Sequence, residues 1–349
     1  MTKPLASLSL DLDNKWSYLK THGDRGWESF PSYLDQVVPR FLGLLDDVGL
    51  KITVFVVGQD AALARNQHAL ASLTAAGHEI GNHSYHHEPW LHLYSPDQVE
   101  DEIATAEDAI AAATGVTPTG FRGPGYSLSP AVVQCLARRG YRYDASTLPT
   151  VIGPLARAYY FFTARLSADQ RRQRKKLFGN WTDGLRPIRP YWWKLAATED
   201  DTPTGDRLLE IPVTTLPLLR VPIHFSYLLY LRQFSRLLAW NYWRAAMRLC
   251  AARGVEPSLL LHPLDFLGGD EEPDLSFFPA MATSGATKRA FIRDLLADFA
   301  HRFRVLPLGQ HAELIAARSE LPVRTCHWQS VAHEEIPAEP ALTMEASRQ

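Results

Sequence analysis

Two aspartates separated by one residue, Asp11-Leu12-Asp13, open the chain, and two histidines four residues apart, His83 and His87, follow some seventy positions later. Imidazole nitrogens and a carboxylate, with positions left for water, suit zinc or a similar divalent ion. One aspartate can bind that ion while the other takes a proton from an attacking water. Taken singly the pieces are ordinary. A D-x-D is also a solvated strand end, and an H-x-x-x-H is also a pair of surface histidines. If residues 83–87 turn helically, both imidazoles share one face; His86 competes with His87 for the second ligand position. Arg122 can hold an ionised base through a charge-assisted pair. His262, emerging from the apolar run LLLHP, is either a general acid for a leaving amine or a satisfied core histidine.

Elements that could position these groups are legible around them. Leu8, Leu10 and Leu12 alternate with Ser9, Asp11 and Asp13, a strand pattern. Residues 33–48 show helical periodicity and stop at Gly49; 52–57 is a β-branched, buried strand. A helix over 61–76, ended by Gly77, leads to a strand at 78–83. Ser95-Pro96-Asp97 starts a helix reaching about 113. A short strand at 119–122, a helix from Ser129-Pro130 to Gly140, and a strand at 141–145 continue the alternation. Later strands are expected at 208–213, 259–262 and 304–308, with helices near 232–253 and 287–302. Repeated β–α units imply parallel strands with helices outside. No glycine-rich nucleotide loop follows the first strand, so an irregular seven- or eight-stranded β/α barrel is expected rather than an open doubly wound sheet. In such a barrel all strand C-termini open on one face, and the six ionisable residues Asp11, Asp13, His83, Arg122, Asp144 and His262 are expected there.

The ordered set DLD, HSYHH, FRGPGY, YDAS and LLLHP resembles polysaccharide deacetylases of the NodB-homology type (carbohydrate esterase family 4), over about residues 5–317. The resemblance implies Asp11 as general base, and Asp13, His83 and His87 as metal ligands. It also implies Arg122 as the residue orienting Asp11 and His262 as general acid. Tyr126 and Asp144 would face substrate, with Asp144 paired to His262. Two departures stand out: FRGPGY has an extra residue between Pro124 and Tyr126, and the YDAS motif lacks the family's usual tryptophan. The implied reaction is removal of an N-acetyl or N-formyl group from an amino sugar of a polysaccharide or lipid-linked glycan. Zn2+ is the first metal expected, with Co2+, Ni2+ or Mn2+ as alternatives. The competing readings are a metal-independent C–N hydrolase of small cyclic amides or ureides, and an inactive glycan-binding module.

Bulk properties narrow the partners. The 349 residues carry 36 basic and 38 acidic side chains, a formal charge of −2, which gives no global attraction to nucleic acid. Cys135, Cys250 and Cys326 form no C-x-x-C pair. No leader pattern opens the sequence and no long apolar run interrupts it, so a cytoplasmic location is expected. Residues 1–325 are expected as one domain with an insertion at about 151–207, and 326–349 as a flexible tail. The insertion holds Tyr159, Tyr160, Phe161 and Phe162, then Arg171, Arg172, Arg174, Lys175 and Lys176, and also Trp181, Trp192 and Trp193. It resembles either a membrane-facing segment or a cap on the barrel mouth. Oligomeric state is not legible.

Overall fold

The structure, a computed structural model, describes residues 3–153, 184–195, 207–318 and 320–325. Strand β1 (Leu5–Asp11) pairs with β2 (Thr53–Val56) on one side and β8 (Ser258–Leu261) on the other, both parallel to it. From β2 the sheet continues through β3 (Glu79–Asn82), β4 (Gly120–Phe121), β5 (Tyr143–Asp144) and β7 (Arg207–Glu210), all parallel. Helices cross between them: α2 (Leu34–Asp47), the single turn α3 (Gly58–Ala61) with α4 (Gln67–Ala75), α5 (Pro96–Thr114) and α6 (Pro130–Arg138). Two further helices, α7 (Phe225–Phe234) and α8 (Arg236–Ala252), precede β8; α9 (Gly285–Arg302) and α10 (Leu308–Ala316) flank β9 (Arg304–Leu306).

This is the expected β/α barrel type, with the ladder left unclosed. Just past β7, the Thr214 N–H donates to the Ser258 carbonyl at 2.9 Å, so a single backbone bond brings the β7 side round to β8. Among the described residues the ladder holds ten strands, three of which lie outside the ring. Strand β9 pairs with the start of β1, β6 (Tyr191–Lys194) runs antiparallel to β7, and β10 (Val323–Thr325) pairs with β6. Neither β6 nor β10 is legible from the sequence pattern. Trp193 of β6 is buried and its indole N–H donates to Glu210 at 2.9 Å. It packs inward and cannot anchor at a membrane surface as its composition suggested; Trp192 is half-buried in the same strand. The rest of the aromatic and basic insertion, residues 154–183 and 196–206, and the expected tail at 326–349 lie outside the described residues.

Leu8, Leu10 and Leu12 pack outward against the helix layer. Ser7, Ser9 and Asp11, on the opposite face, are buried as well, because that face lines the barrel interior. Phe55 and Tyr143 fill the interior, and each lies over a glycine of the adjoining strand. A Cβ on Gly81 would sit 2.4 Å from the Phe55 ring, and one on Gly120 2.1 Å from that of Tyr143. Larger residues at either glycine would force the strands apart.

Local signals set most boundaries. The α5 start has Ser95 and Gln98 in a reciprocal capping box with Pro96 next in line, and Gly115 ends it in the left-handed region. Two expected helices are each divided. The 61–76 segment breaks at residues 64–66, where Asn66 donates its side-chain amide to Asp60. The 232–253 segment breaks at Ser235, whose extended backbone ends α7 while its hydroxyl caps α8. Among the described residues no helix is long and apolar enough to cross a membrane.

Candidate functional site

Asp13 lies two residues past the end of β1, at the rim where the parallel strands end. Its backbone carbonyl accepts from the Tyr33 hydroxyl at 2.6 Å, and the next residue, Asn14, donates to Asp60 at 2.7 Å and caps the helix α1 (Lys15–His22). The Trp16 indole donates to the same Asp60 oxygen at 3.0 Å. Burial raises Asp60 to about 7, against the bonds from Asn14 and Trp16. This tyrosine–asparagine–tryptophan–aspartate network fixes the turn that carries Asp13.

One oxygen of Asp13, Oδ1, lies 2.9 Å from His87 Nε2 and 3.3 Å from His83 Nε2. Ligand atoms of these three residues all fall within 4.8 Å of one another. Burial alone raises the Asp13 carboxyl, but the charges and hydrogen bonds of His87 and His83 outweigh it and hold it well below the usual carboxylate range. His83 Nδ1 is 2.6 Å from the Arg122 carbonyl. A carbonyl can only accept, so Nδ1 carries a proton, and Nε2 is the nitrogen that faces Asp13 and is left for a metal. Two imidazoles and a carboxylate, one imidazole tied from behind, are a donor set that zinc or a similar divalent ion takes.

The approach of His83 and His87 is not helical. Residues 83–88 form a loop, with Ser84 and His87 at φ of 60° and 55°. Asn82 accepts the Ser84 N–H at 2.8 Å and so turns the chain sharply after β3. The loop also decides between the neighbouring histidines. His86 points away: its ring and its backbone N–H both engage Glu102, at 2.8 and 2.6 Å.

Beside the trio, Asp11 ends β1 and its Oδ1 accepts from Arg122 Nη1 at 3.0 Å. Arg122 is fully buried, just past β4. Its Nε donates to the Ala145 carbonyl and Nη1 also to Ser9, each at 3.0 Å, and the guanidinium lies 4.7 Å over the Phe55 ring. A buried guanidinium with one carboxylate, a carbonyl, a hydroxyl and an aromatic face has little freedom to move. On the other side, Leu10 and Leu261 are register partners, and Asp11 and His262 each follow them, so the two sit at neighbouring strand ends.

His262 Nδ1 is 3.3 Å from Ser226 Oγ, and that hydroxyl donates to Asp265 at 2.7 Å. With the serine proton directed at Asp265, the imidazole Nδ1–H must donate to the serine oxygen, which leaves Nε2 for the cleft. Asp265 also accepts the His262 backbone N–H at 2.8 Å. Buried Lys288 donates to the carbonyls of Leu264 and Leu267, pinning the loop behind His262.

Asp265 is therefore the carboxylate beside His262, and the expected pairing with Asp144 is not found. Asp144 is fully buried at the end of β5 and so does not face substrate. It accepts from Ser146 at 2.6 Å and pairs in register with Glu210 of β7. Burial and the Asp144 charge push Glu210 well above the usual carboxylate range, the signature of two carboxyls sharing a proton.

Tyr126 is partly exposed with φ of 62°, and its hydroxyl is 3.4 Å from His224 Nδ1. Its backbone N–H donates to the Gly123 carbonyl at 2.9 Å, so that donor belongs to the turn and not to an oxyanion. His224 was singled out by no sequence motif. It is buried, and Nε2 has no hydrogen-bond partner among the described residues. Burial, then the nearby His262 and Arg122, lower it to about 3, so it is a neutral imidazole beside the catalytic candidates.

Residues 23–143 match the family model for polysaccharide deacetylase. That span holds His83, His87 and Arg122, while Asp11, Asp13 and His262 lie outside it. The chain is 28% identical over 151 residues to a peptidoglycan deacetylase of Helicobacter pylori, covering 41% of this chain and 50% of that protein. It is 32% identical over 125 residues to a peptidoglycan deacetylase-like protein of Gibberella zeae, covering 35% of each. The chain thus spans half or less of the length of these curated relatives. A crystal structure described as a polysaccharide deacetylase from Mycobacterium smegmatis superposes with a TM-score of 0.60 at 22% identity, covering 94% of this chain and 95% of that one. At that identity the likeness speaks for the fold.

Proposed function

We propose that this chain, which matches the polysaccharide deacetylase family model over residues 23–143, is a metal-dependent hydrolase removing an N-acetyl or N-formyl group from an amino sugar of a polysaccharide or lipid-linked glycan. The observation that carries this reading is the position of Asp13 Oδ1 between the Nε2 atoms of His83 and His87, beside the separate Asp11–Arg122 pair.

Asp13, His83 and His87 would hold the metal, with zinc the first expectation. When bound, the metal would polarise the acyl carbonyl and make a water more acidic. Asp11 accepts the proton of the attacking water, its carboxylate aimed by Arg122. Arg122 in turn is fixed by Ser9, Ala145 and Phe55, so the base needs no reorientation during the reaction. His262 delivers a proton from Nε2 to the departing amine, with Ser226 and Asp265 holding Nδ1–H in place. Tyr126 and neutral His224 line the same cleft, where they contact substrate without adding charge.

Acetate or formate release from N-acylated amino sugars tests this reading, with soluble, polymeric and lipid-linked forms compared on metal-replete protein. Release dependent on Asp11 and on metal supports it. Binding of glycan with no acid released supports an inactive module instead. Turnover insensitive to chelator supports a metal-independent C–N hydrolase.

A further inference from the structure

Twelve large hydrophobic side chains are exposed among the described residues, and nine of them fall into two groups, one around Arg220 and one along α7 from Tyr227, which packs on His224. The first group surrounds Arg220. Leu218 and Leu219 form the tip of a tight turn closed by the Leu216 carbonyl accepting from Arg220 and the Val221 carbonyl from Leu216. Leu218 takes φ of 77° and is 68% exposed. Val151 donates its N–H to the Arg220 carbonyl, and Leu185 precedes Arg186, whose carbonyl accepts from Arg220. A leucine in the left-handed region is strained, and with its side chain in water it buries little apolar surface in return.

The second group lies on α7 and the start of α8. Tyr227, Tyr230 and Phe234 recur at helical spacing on the outer face of α7, and Leu237 and Leu238 continue it past the Ser235 break. Tyr227 packs edge-on against His224 at 5.5 Å, and Ser226 on the same helix holds His262. The apolar face therefore begins at the cleft.

The charge of this region selects its partner. Residues 211–255 contain Arg220, Arg232, Arg236, Arg244, Arg248 and Arg253, and no aspartate or glutamate, in a chain whose formal charge is −2. Arg236 pairs with Asp294 from α9, and Arg232 stacks on Phe291. Arg244, which stacks on Trp240, and Arg248 are exposed along α8, about two and three turns beyond the leucines. Exposed leucines and aromatics fringed by arginines match a surface with an apolar interior and anionic headgroups.

We propose that the 216–221 turn and the α7–α8 corner dock this protein on an anionic phospholipid membrane, holding the cleft at the lipid interface. The inference goes beyond the proposed reaction and does not depend on it. It is tested by sedimenting the full chain with phosphatidylcholine vesicles with and without phosphatidylglycerol. The parent protein binds the anionic vesicles, and salt weakens binding. The pairs Leu218→Ser with Leu219→Ser, and Phe234→Ser with Leu237→Ser, each reduce affinity by roughly tenfold or more. Both variants keep the parent's metal content and its turnover of a soluble substrate. Absence of binding to anionic vesicles overturns the proposal, as does binding unchanged in both variants. A parent protein that self-associates through this face, with monomeric variants and no vesicle binding, also overturns it. Acid release without vesicle binding would sink the membrane surface and leave the hydrolase reading standing.

Discussion

His83 and Arg122 are joined by a 2.6 Å hydrogen bond from the imidazole Nδ1–H to the arginine's backbone carbonyl, while the arginine's side chain holds Asp11. One residue thus serves the candidate metal ligands through its main chain and the candidate base through its guanidinium. The two services can be separated by substitution.

Arg122→Lys keeps the carbonyl and a cation but loses the fork that spans Asp11, Ser9 and Ala145. Metal content should stay at the parent level, because the His83 bond is to backbone. Turnover should fall roughly tenfold to a hundredfold, the worth of one or two charge-assisted bonds. Metal analysis and steady-state kinetics on the same preparation check this. Loss of metal with the side chain would show that the division is wrong.

His86→Ala and His87→Ala distinguish the two adjacent histidines. The His86 ring is half-exposed and tied to Glu102, so its removal should leave metal affinity unchanged and cost at most about 1 kcal/mol of stability. Removing His87 takes away one of three ligands, and affinity should fall by tenfold or more on titration with zinc. Equal losses in the two variants would contradict the loop geometry.

His224 makes a pH prediction. Burial lowers its imidazole to about 3 in the folded chain, against 6.5 for an unperturbed histidine. Between these values the unfolded chain binds the extra proton and the folded one does not, so stability rises with pH across that window. The contribution is present above about 6.5 and is lost as pH falls toward 3, and amounts to a few kcal/mol in order of magnitude. In His224→Asn this part of the acid slope should disappear, as seen by denaturant midpoints from pH 3.5 to 7. An unchanged slope would place a charged or solvated imidazole there.

What the sequence made legible follows from what is local. The Leu8–Leu10–Leu12 alternation, the β-branched run at 52–57 and the Ser95-Pro96 cap each state their element within a few residues. The barrel and the gathering of Asp13, His83 and His87 follow from them, since parallel strands deliver their ends to one rim. Groups that act across the fold left no such mark. Asp60 reaches Asn14 and Trp16 from 46 and 44 residues away. His224 shows only as a polar break in an apolar run, and its role depends on Tyr126, 98 residues earlier. Asp265 was available three residues after His262, but a pattern led to Asp144, which folding turned toward Glu210. The helical reading of 83–87 failed because spacing alone cannot show that Ser84 and His87 adopt positive φ.

The proposed hydrolysis depends on a metal held by Asp13, His83 and His87. Its most direct test is acid release from an N-acylated amino-sugar substrate by one preparation, assayed as purified, after chelation, and after zinc is restored. The account predicts turnover that is lost on chelation and returns with about one zinc per chain, and that does neither in Asp13→Ala. Turnover that survives complete removal of the metal would contradict it.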